Sequence, residues 1–373
     1  MRSHKISLLF VSGEFFSMSA MNNLVRKKYN DAFIVNYSIR KCWVSGQISG
    51  KEVSKEAKLF YVKNEKANYI LSPVLMLLNV LVIFTLSSRY ILKLAPKTII
   101  SDSYILPVLL SVYKLLGFTK RTIYIAGDWH VANKNRKRLI SYFANAYVFP
   151  LMDYLACKCS NAVLNYSDKI SEARYLYWKK KIARKEKTIV FPFLFKVDPE
   201  AAMALNSLSI CYLGLLKADS GLDIAISSIK DLRKHGDFNI IVIGPYSHSF
   251  LEFKELAERE GVDQYVKFNG FVEREDFKKI ISGCFCGISM VKDKDSYTSF
   301  TFQGKIGDYL QYLLPVVASK NIGLLKDTIE QNNLGVITDT DSISFTRGVL
   351  EVYNRREEYR RNIIDYIRAN QDL

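Results

Sequence analysis

The sequence predicts two doubly wound, Rossmann-like α/β domains in series. Three observations carry this. Short apolar runs alternate with amphipathic helical stretches along most of the chain, as parallel strands joined by crossover helices do. The 373 residues suffice for two domains of ordinary size. A segment with Phe191, Pro192 and Pro199 separates one run of alternation from a second. The domains so divided are 1–196 and 197–345, followed by a helix over 346–373.

In order, residues 6–11 form an apolar first strand that ends in Ser12, Gly13 and Glu14. The run is too short for a signal peptide and lacks a small-residue cleavage site. Residues 22–66 are charged, with strands expected at 32–37 and 59–62. Residues 69–86 are the longest apolar stretch and reach the lower limit for a membrane span. Ser72, Pro73, Asn79 and Thr85 weaken a span, so the stretch reads as a buried or interfacial helix, with Arg89, Lys93 and Lys97 after it. A strand over 97–102 ends in Asp102 and Ser103. A helix over 106–116 precedes a strand over 121–126, which ends in Gly127, Asp128, Trp129 and His130. A long helix over 141–160 and a strand over 162–166 follow. The very basic segment 178–187 reads as a membrane-facing or solvated helix.

In the second half, strands are expected at 209–213, 238–243, 265–268 and 286–290, with helices at 222–235, 250–260 and 275–282. Such sheets bind ligands at the carboxyl ends of their strands, which places Gly214 and Gly244 beside a site. The stretch 297–319 then reads as loop, short helix and buried strand. Ile306, Leu310 and Leu313 recur at helical spacing, and Lys305 and Asp308 share the opposite face. Lys305 falls in the first turn, where amides and dipole favour an anion. Gly304 and Gly307 allow a ligand to approach. A phosphate-bearing ligand with a sugar hydroxyl near Asp308 satisfies all of this. A solvated surface pair satisfies the spacing alone.

Net charge is +16, unevenly spread. Residues 1–196 hold 32 basic against 11 acidic side chains, and the remainder 21 against 26. The basic half suits an anionic membrane surface or a phosphorylated substrate. Nucleic acid is disfavoured, since no aromatic platform is interleaved with the charge. The six cysteines read as free thiols of a reducing compartment. Asp293 and Asp295 read as solvated, not as metal ligands.

The second half resembles the family 4, or group 1, glycosyltransferases of the GT-B fold. The likeness rests on Tyr212-Leu-Gly214 with Gly221-Leu-Asp223, Ile241-Val-Ile-Gly-Pro245, Val266-Lys-Phe-Asn-Gly-Phe271, Lys305-Ile-Gly-Asp-Tyr-Leu310 before Leu314-Pro-Val-Val-Ala-Ser319, and Asn333-Leu-Gly-Val-Ile337. The resemblance implies a nucleotide-sugar donor as co-substrate, with no other cofactor and no metal. It implies that Asp308 holds the donor ribose, that Lys305 lies near the donor phosphates, and that the loop after Gly214 lies beside the pyrophosphate. Phe300, Leu215 and Ser220 stand where the family has a glutamate and two basic residues, and Lys217 is the candidate substitute. Tyr297 and Ser299 are candidates for the donor sugar, Asp102 and Ser103 for the acceptor. Asp128 and His130 are candidates to deprotonate an acceptor hydroxyl.

The function so implied is retaining, metal-independent transfer of a sugar to a lipid-linked or polysaccharide acceptor in cell-surface glycan synthesis. It would take place in the cytoplasm, at the membrane face. The terminal helix is expected to return to the first domain. The alternative is a non-catalytic subunit that binds a nucleotide or a partner enzyme.

Overall fold

The computed structural model describes residues 6–13, 32–37, 41–48, 51–58, 65–102, 104–126, 144–165, 168–178, 186–188, 207–245, 249–272, 274–292, 303–323 and 325–370. The chain forms two compact units, 1–191 and 192–373.

The first unit is built on an eight-stranded sheet. Its strands are β1 (Leu8–Gly13), β2 (Phe33–Tyr37), β3 (Lys41–Ile48), β4 (Lys51–Lys58), β5 (Thr98–Ser101), β6 (Arg121–Ala126), β7 (Ala162–Asn165) and β8 (Glu186–Thr188). Their order is β4-β3-β2-β1-β5-β6-β7-β8. Leu9, Phe10 and Val11 of β1 and Phe33, Ile34 and Val35 of β2 are buried, as continuous apolar strands at the centre of a covered sheet require. Pairing is parallel except along β2-β3-β4. Ile48 pairs with Lys51, so only two residues join β3 to β4 and the pair must run antiparallel. The sequence reading has no strand at 41–58, because these residues mix charge with few apolar positions. Lys58, exposed at the end of the edge strand β4, blunts that edge against further pairing. The expected strand at 59–62 lies outside the described residues. Glu186 and Lys187, expected in a helix, lie in β8.

Helix α1 (Glu65–Leu94) extends the apolar stretch at both ends. It exposes Leu92 and Lys93 while burying Tyr90, Ile91 and Leu94. Among the described residues no helix is long and apolar enough to cross a membrane. Helix α2 (Leu106–Leu115) packs beside it. The helix expected over 141–160 is a π-helical turn at Ala144–Val148 followed by α3 (Phe149–Cys159). Pro150 stands in the first turn of α3, where its missing N–H leaves no bond unmade. Helix α4 (Asp168–Tyr177) completes the described helices of this unit.

The second unit is a six-stranded parallel sheet. Its strands are β9 (Ser209–Leu213), β10 (Asn239–Ile243), β11 (Val266–Phe268), β12 (Cys286–Ser289), β13 (Val316–Ser319) and β14 (Gly335–Thr338). The order is β11-β10-β9-β12-β13-β14. Helices α5 (Leu222–Leu232), α6 (Ser249–Arg259), α7 (Arg274–Ser282), α8 (Gly304–Gln311), α9 (Leu325–Gln331), α10 (Ser342–Asn354) and α11 (Arg356–Asn370) connect and flank the strands. Ile226, Ile229 and Leu232 of α5 and Phe345, Val349 and Val352 of α10 fill one core layer. Ile306 and Leu310 of α8 and Ile281 of α7 fill the other. The terminal segment is two helices, and Ile363 and Ile367 of α11 join that second layer. The chain builds outward from β9 to β11, then returns to lay β12 on the other side of β9. That reversal is a topological switch point, and the crevice at the carboxyl ends of β9 and β12 is where such a sheet binds ligands.

Candidate functional site

The carboxyl edge of the second sheet is pinned by backbone bonds between successive turns. Gly214 N–H donates to Ile243 O (2.9 Å) and Gly244 N–H donates to Gly270 O (2.9 Å). A Cβ on Gly244 would sit 1.9 Å from the Gly214 carbonyl oxygen, so only glycine permits this approach.

Helix α8 is fastened to the same edge by Tyr309. Its ring lies where a Cβ on Gly287 would meet it at 2.2 Å, so β12 carries a glycine to admit it. The Tyr309 hydroxyl accepts from Leu213 N–H (2.8 Å) and donates to Ile288 O (3.0 Å). One buried phenol thus links the ends of β9 and β12, on either side of the switch point, and burial holds it well above the usual tyrosine range.

That anchorage fixes Lys305 and Asp308, one turn apart on α8. Both are half-buried. Lys305 Nζ lies 4.9 Å from the centroid of the Tyr212 ring, whose hydroxyl donates to Leu215 O (2.9 Å). Burial pushes the Lys305 ammonium down to about 8; repulsion from Lys217 adds to this and the Asp219 carboxylate opposes it. Burial pushes the Asp308 carboxyl up to about 8. The two residues do not pair with each other, so each keeps its polar end for another partner.

The end of β12 is fixed from the other side. Ser319 Oγ accepts from Val291 N–H (2.8 Å) and donates to Val291 O (3.0 Å). Asn321 Nδ2 donates to Val291 O (3.1 Å) and Lys292 O (3.0 Å). Lys292 N–H donates to Asp219 O (3.3 Å), and Lys292 Nζ pairs with Asp223.

The structure thus places Gly214, Lys217, Gly244, Lys305 and Asp308 on one unit, with Gly214 against Gly244 and Lys217 near enough to repel the Lys305 ammonium. In the first unit Asp102 follows β5, with its N–H donating to Val11 O (3.3 Å) at the reversal between β1 and β5. Ser103, Asp128, His130, Tyr297 and Ser299 lie outside the described residues. Sequence reasoning gave no role to Tyr309, Ser319 and Asn321, which brace this edge, or to the Lys292–Asp223 pair beside it. A visible signal for Lys292 is its place directly after the buried run 284–291.

Among the described residues no group of three or more His, Cys, Asp or Glu side chains is arranged to hold a metal. No curated protein matches the chain. Residues 207–355 match the model of the family described as glycosyl transferases group 1. Over that stretch the second unit is similar to a group 1 glycosyltransferase domain. Solved structures extend the likeness to the whole chain at the level of fold. Anabaena HepE in complex with UDP is 14% identical, with a TM-score of 0.63 over 98% of this chain and 95% of that one. The catalytic domain of starch synthase IV from Arabidopsis thaliana, bound to ADP and acarbose, is 11% identical, with a TM-score of 0.65 over 98% and 95%. WaaG, a glycosyltransferase involved in lipopolysaccharide biosynthesis, is 11% identical, with a TM-score of 0.62 over the same shares. The expected GT-B fold of two Rossmann-like domains is borne out, and so is the group 1 glycosyltransferase-like character of the chain.

Proposed function

We propose that this group 1 glycosyltransferase-like chain moves a sugar from a nucleotide-sugar donor to a lipid-linked or polysaccharide acceptor in cell-surface glycan synthesis, retaining anomeric configuration without a metal. The observation that carries the donor reading is half-buried Lys305 in the first turn of α8 at the switch point, with Lys217 near enough to add to its repulsion. Such a pair is relieved by a diphosphate, and the same cations and helix amides would stabilise the departing nucleotide diphosphate. Asp308, one turn on, accepts from ribose hydroxyls. HepE in complex with UDP and starch synthase IV bound to ADP support a nucleotide ligand for this fold. In this reading Asp128 or His130 is assigned to deprotonate the acceptor, Asp102 and Ser103 to hold it, and Tyr297 and Ser299 to bind the donor sugar.

Calorimetric titration of the full chain with UDP, ADP, GDP and their sugar conjugates, in the presence of a chelator, tests the donor site. Micromolar binding of one nucleotide is expected, weakened at least about tenfold in Asp308→Ala. Folded protein that binds no member of the panel rejects the reading. Turnover separates transferase from the non-catalytic alternative, which Phe300, Leu215 and Ser220 motivate. That alternative binds a nucleotide and transfers nothing.

The acceptor reading includes a place at the cytoplasmic membrane face. In the first unit Leu81 and Leu92 of α1 and Leu115 and Leu116 at the end of α2 are exposed, and so are Arg89, Lys93, Lys97 and Lys120. Apolar side chains set among cations suit an anionic lipid surface. Co-sedimentation with vesicles containing phosphatidylglycerol is expected, falling several-fold in Leu115→Ser/Leu116→Ser. Equal retention by purely zwitterionic vesicles contradicts it.

A further inference from the structure

Lys292 stands at the switch point and has no part in the donor site as described so far. Its backbone is held on two sides, by the Asp219 carbonyl from the loop after β9 and by Asn321 from the turn after β13. Its side chain is not fixed in the same way. Nζ pairs with Asp223 Oδ2 in the first turn of α5, and the pair keeps 37% and 31% of its side-chain surface in solvent. Asp223 Oδ1 is buried with no hydrogen-bond partner among the described residues. The lysine therefore has a single weak, solvent-open partner that is itself half satisfied.

Its neighbours are those of the phosphate-binding cations. Asp219, whose carbonyl holds Lys292, bears the carboxylate that acts on Lys305, and Lys217 belongs to the same loop. We propose that Lys292 is a further diphosphate-binding residue of the donor site, parked on Asp223 and turned to the outer phosphate when a nucleoside diphosphate binds. This rests on the donor reading above. An ammonium on a flexible four-carbon stem reorients without moving its backbone. A phosphate oxygen carrying more charge than Asp223 makes the stronger charge-assisted bond. Lys292 follows β12 and Lys217 follows β9, the neighbouring parallel strands that flank the crevice, so the two lysines enter it from its two sides.

The test compares the nucleoside diphosphate that binds best with the monophosphate of the same base, by calorimetry on the full chain. Lys292→Gln is expected to weaken the diphosphate about tenfold and the monophosphate less than twofold, with Lys292→Arg restoring most of the loss. Asp223→Asn, which releases the lysine, is expected to leave diphosphate affinity unchanged or to raise it. A pair that only braces the loop predicts otherwise: both variants weaken both ligands alike, and this result overturns the proposal. A wild type that binds diphosphate while Lys292→Gln matches it also overturns the proposal and leaves the donor site standing. A folded wild type that binds neither ligand removes the donor site itself. Melting temperatures of all variants exclude unfolding as the cause.

Discussion

Affinity for the nucleotide diphosphate is expected to peak near pH 8, with one limb belonging to Lys305 and the other to Asp308. The ammonium of Lys305 is pushed down to about 8, chiefly by burial. A diphosphate binds the charged lysine, so above pH 8 binding must be accompanied by proton uptake and affinity falls as pH rises. Asp308 is pushed up to about 8 by burial. Ribose hydroxyls donate to the carboxylate, so below pH 8 binding must expel a proton and affinity falls as pH drops. Each limb approaches tenfold per pH unit away from the maximum. Lys305→Met should lower affinity about 10–100-fold and flatten the alkaline limb. Asp308→Asn should flatten the acid limb. Calorimetry between pH 7 and 10, in buffers of different ionisation enthalpy, reads both the affinity and the proton count. A wild-type affinity that is level across this range refutes the assignment of both residues.

The same shifts fix the sign of the stability dependence. Between about pH 4 and pH 8 the folded state holds a proton on Asp308 that the unfolded chain has lost, so stability declines as pH rises through that window. Asp308→Asn removes the decline. Each pKa unit corresponds to about 1.4 kcal/mol. Solvent at the half-buried carboxyl reduces the sum, so the variant should exceed wild type above pH 8 by about 1–2 kcal/mol. For Lys305 the window is about pH 8 to 10.5. There the unfolded chain holds the extra proton, and stability rises with pH.

The second unit was legible in the sequence because period and composition agree there. β9 at Ser209–Leu213 lies where the apolar run puts it, and the elements expected between 222 and 319 fall within a few residues of expectation, whereas α9, β14 and the division of the terminal segment into α10 and α11 have no counterpart in the sequence reading. Lys305 and Asp308 were legible because both lie on one short helix, where spacing alone fixes their common face. The hairpin of β3 and β4 was not, since its alternation is interrupted by charge and its partner strand was the only source of order. Tyr309 hid beside Asp308 as an ordinary helix residue. Its role depends on Gly287, Leu213 and Ile288, which belong to other elements. Lys292 and Asp223 meet only because the sheet reverses at β9, and no local pattern encodes a reversal.

Loss of Arg174 is expected to be the most destabilising single change in the first unit. In sequence it is one more arginine in a basic half. In the structure it lies on α4 and is fully buried. Its Nε donates to Asp153 Oδ2 (2.7 Å), its Nη2 to Asp153 Oδ1 (3.1 Å) and its Nη1 to Asn165 Oδ1 (2.5 Å). Tyr124 from β6 donates its hydroxyl to Asp153 Oδ1 (2.9 Å). Burial alone would lower the pKa of Arg174, but the Asp153 carboxylate reverses that and raises it. The fork thus ties α4 to α3 and to the ends of β6 and β7. Arg174→Met keeps most of the volume and leaves Asp153 charged, buried and short of two donors. Breaking such a pair costs about 3–5 kcal/mol. Asp153 and Arg174 need each other more than the fold needs either. Arg174→Met/Asp153→Leu should therefore recover much of the loss in urea unfolding, because an apolar pair of similar size carries no unpaired charge. A single variant within about 1 kcal/mol of wild type would mean that water reaches Asp153 and takes the place of the arginine.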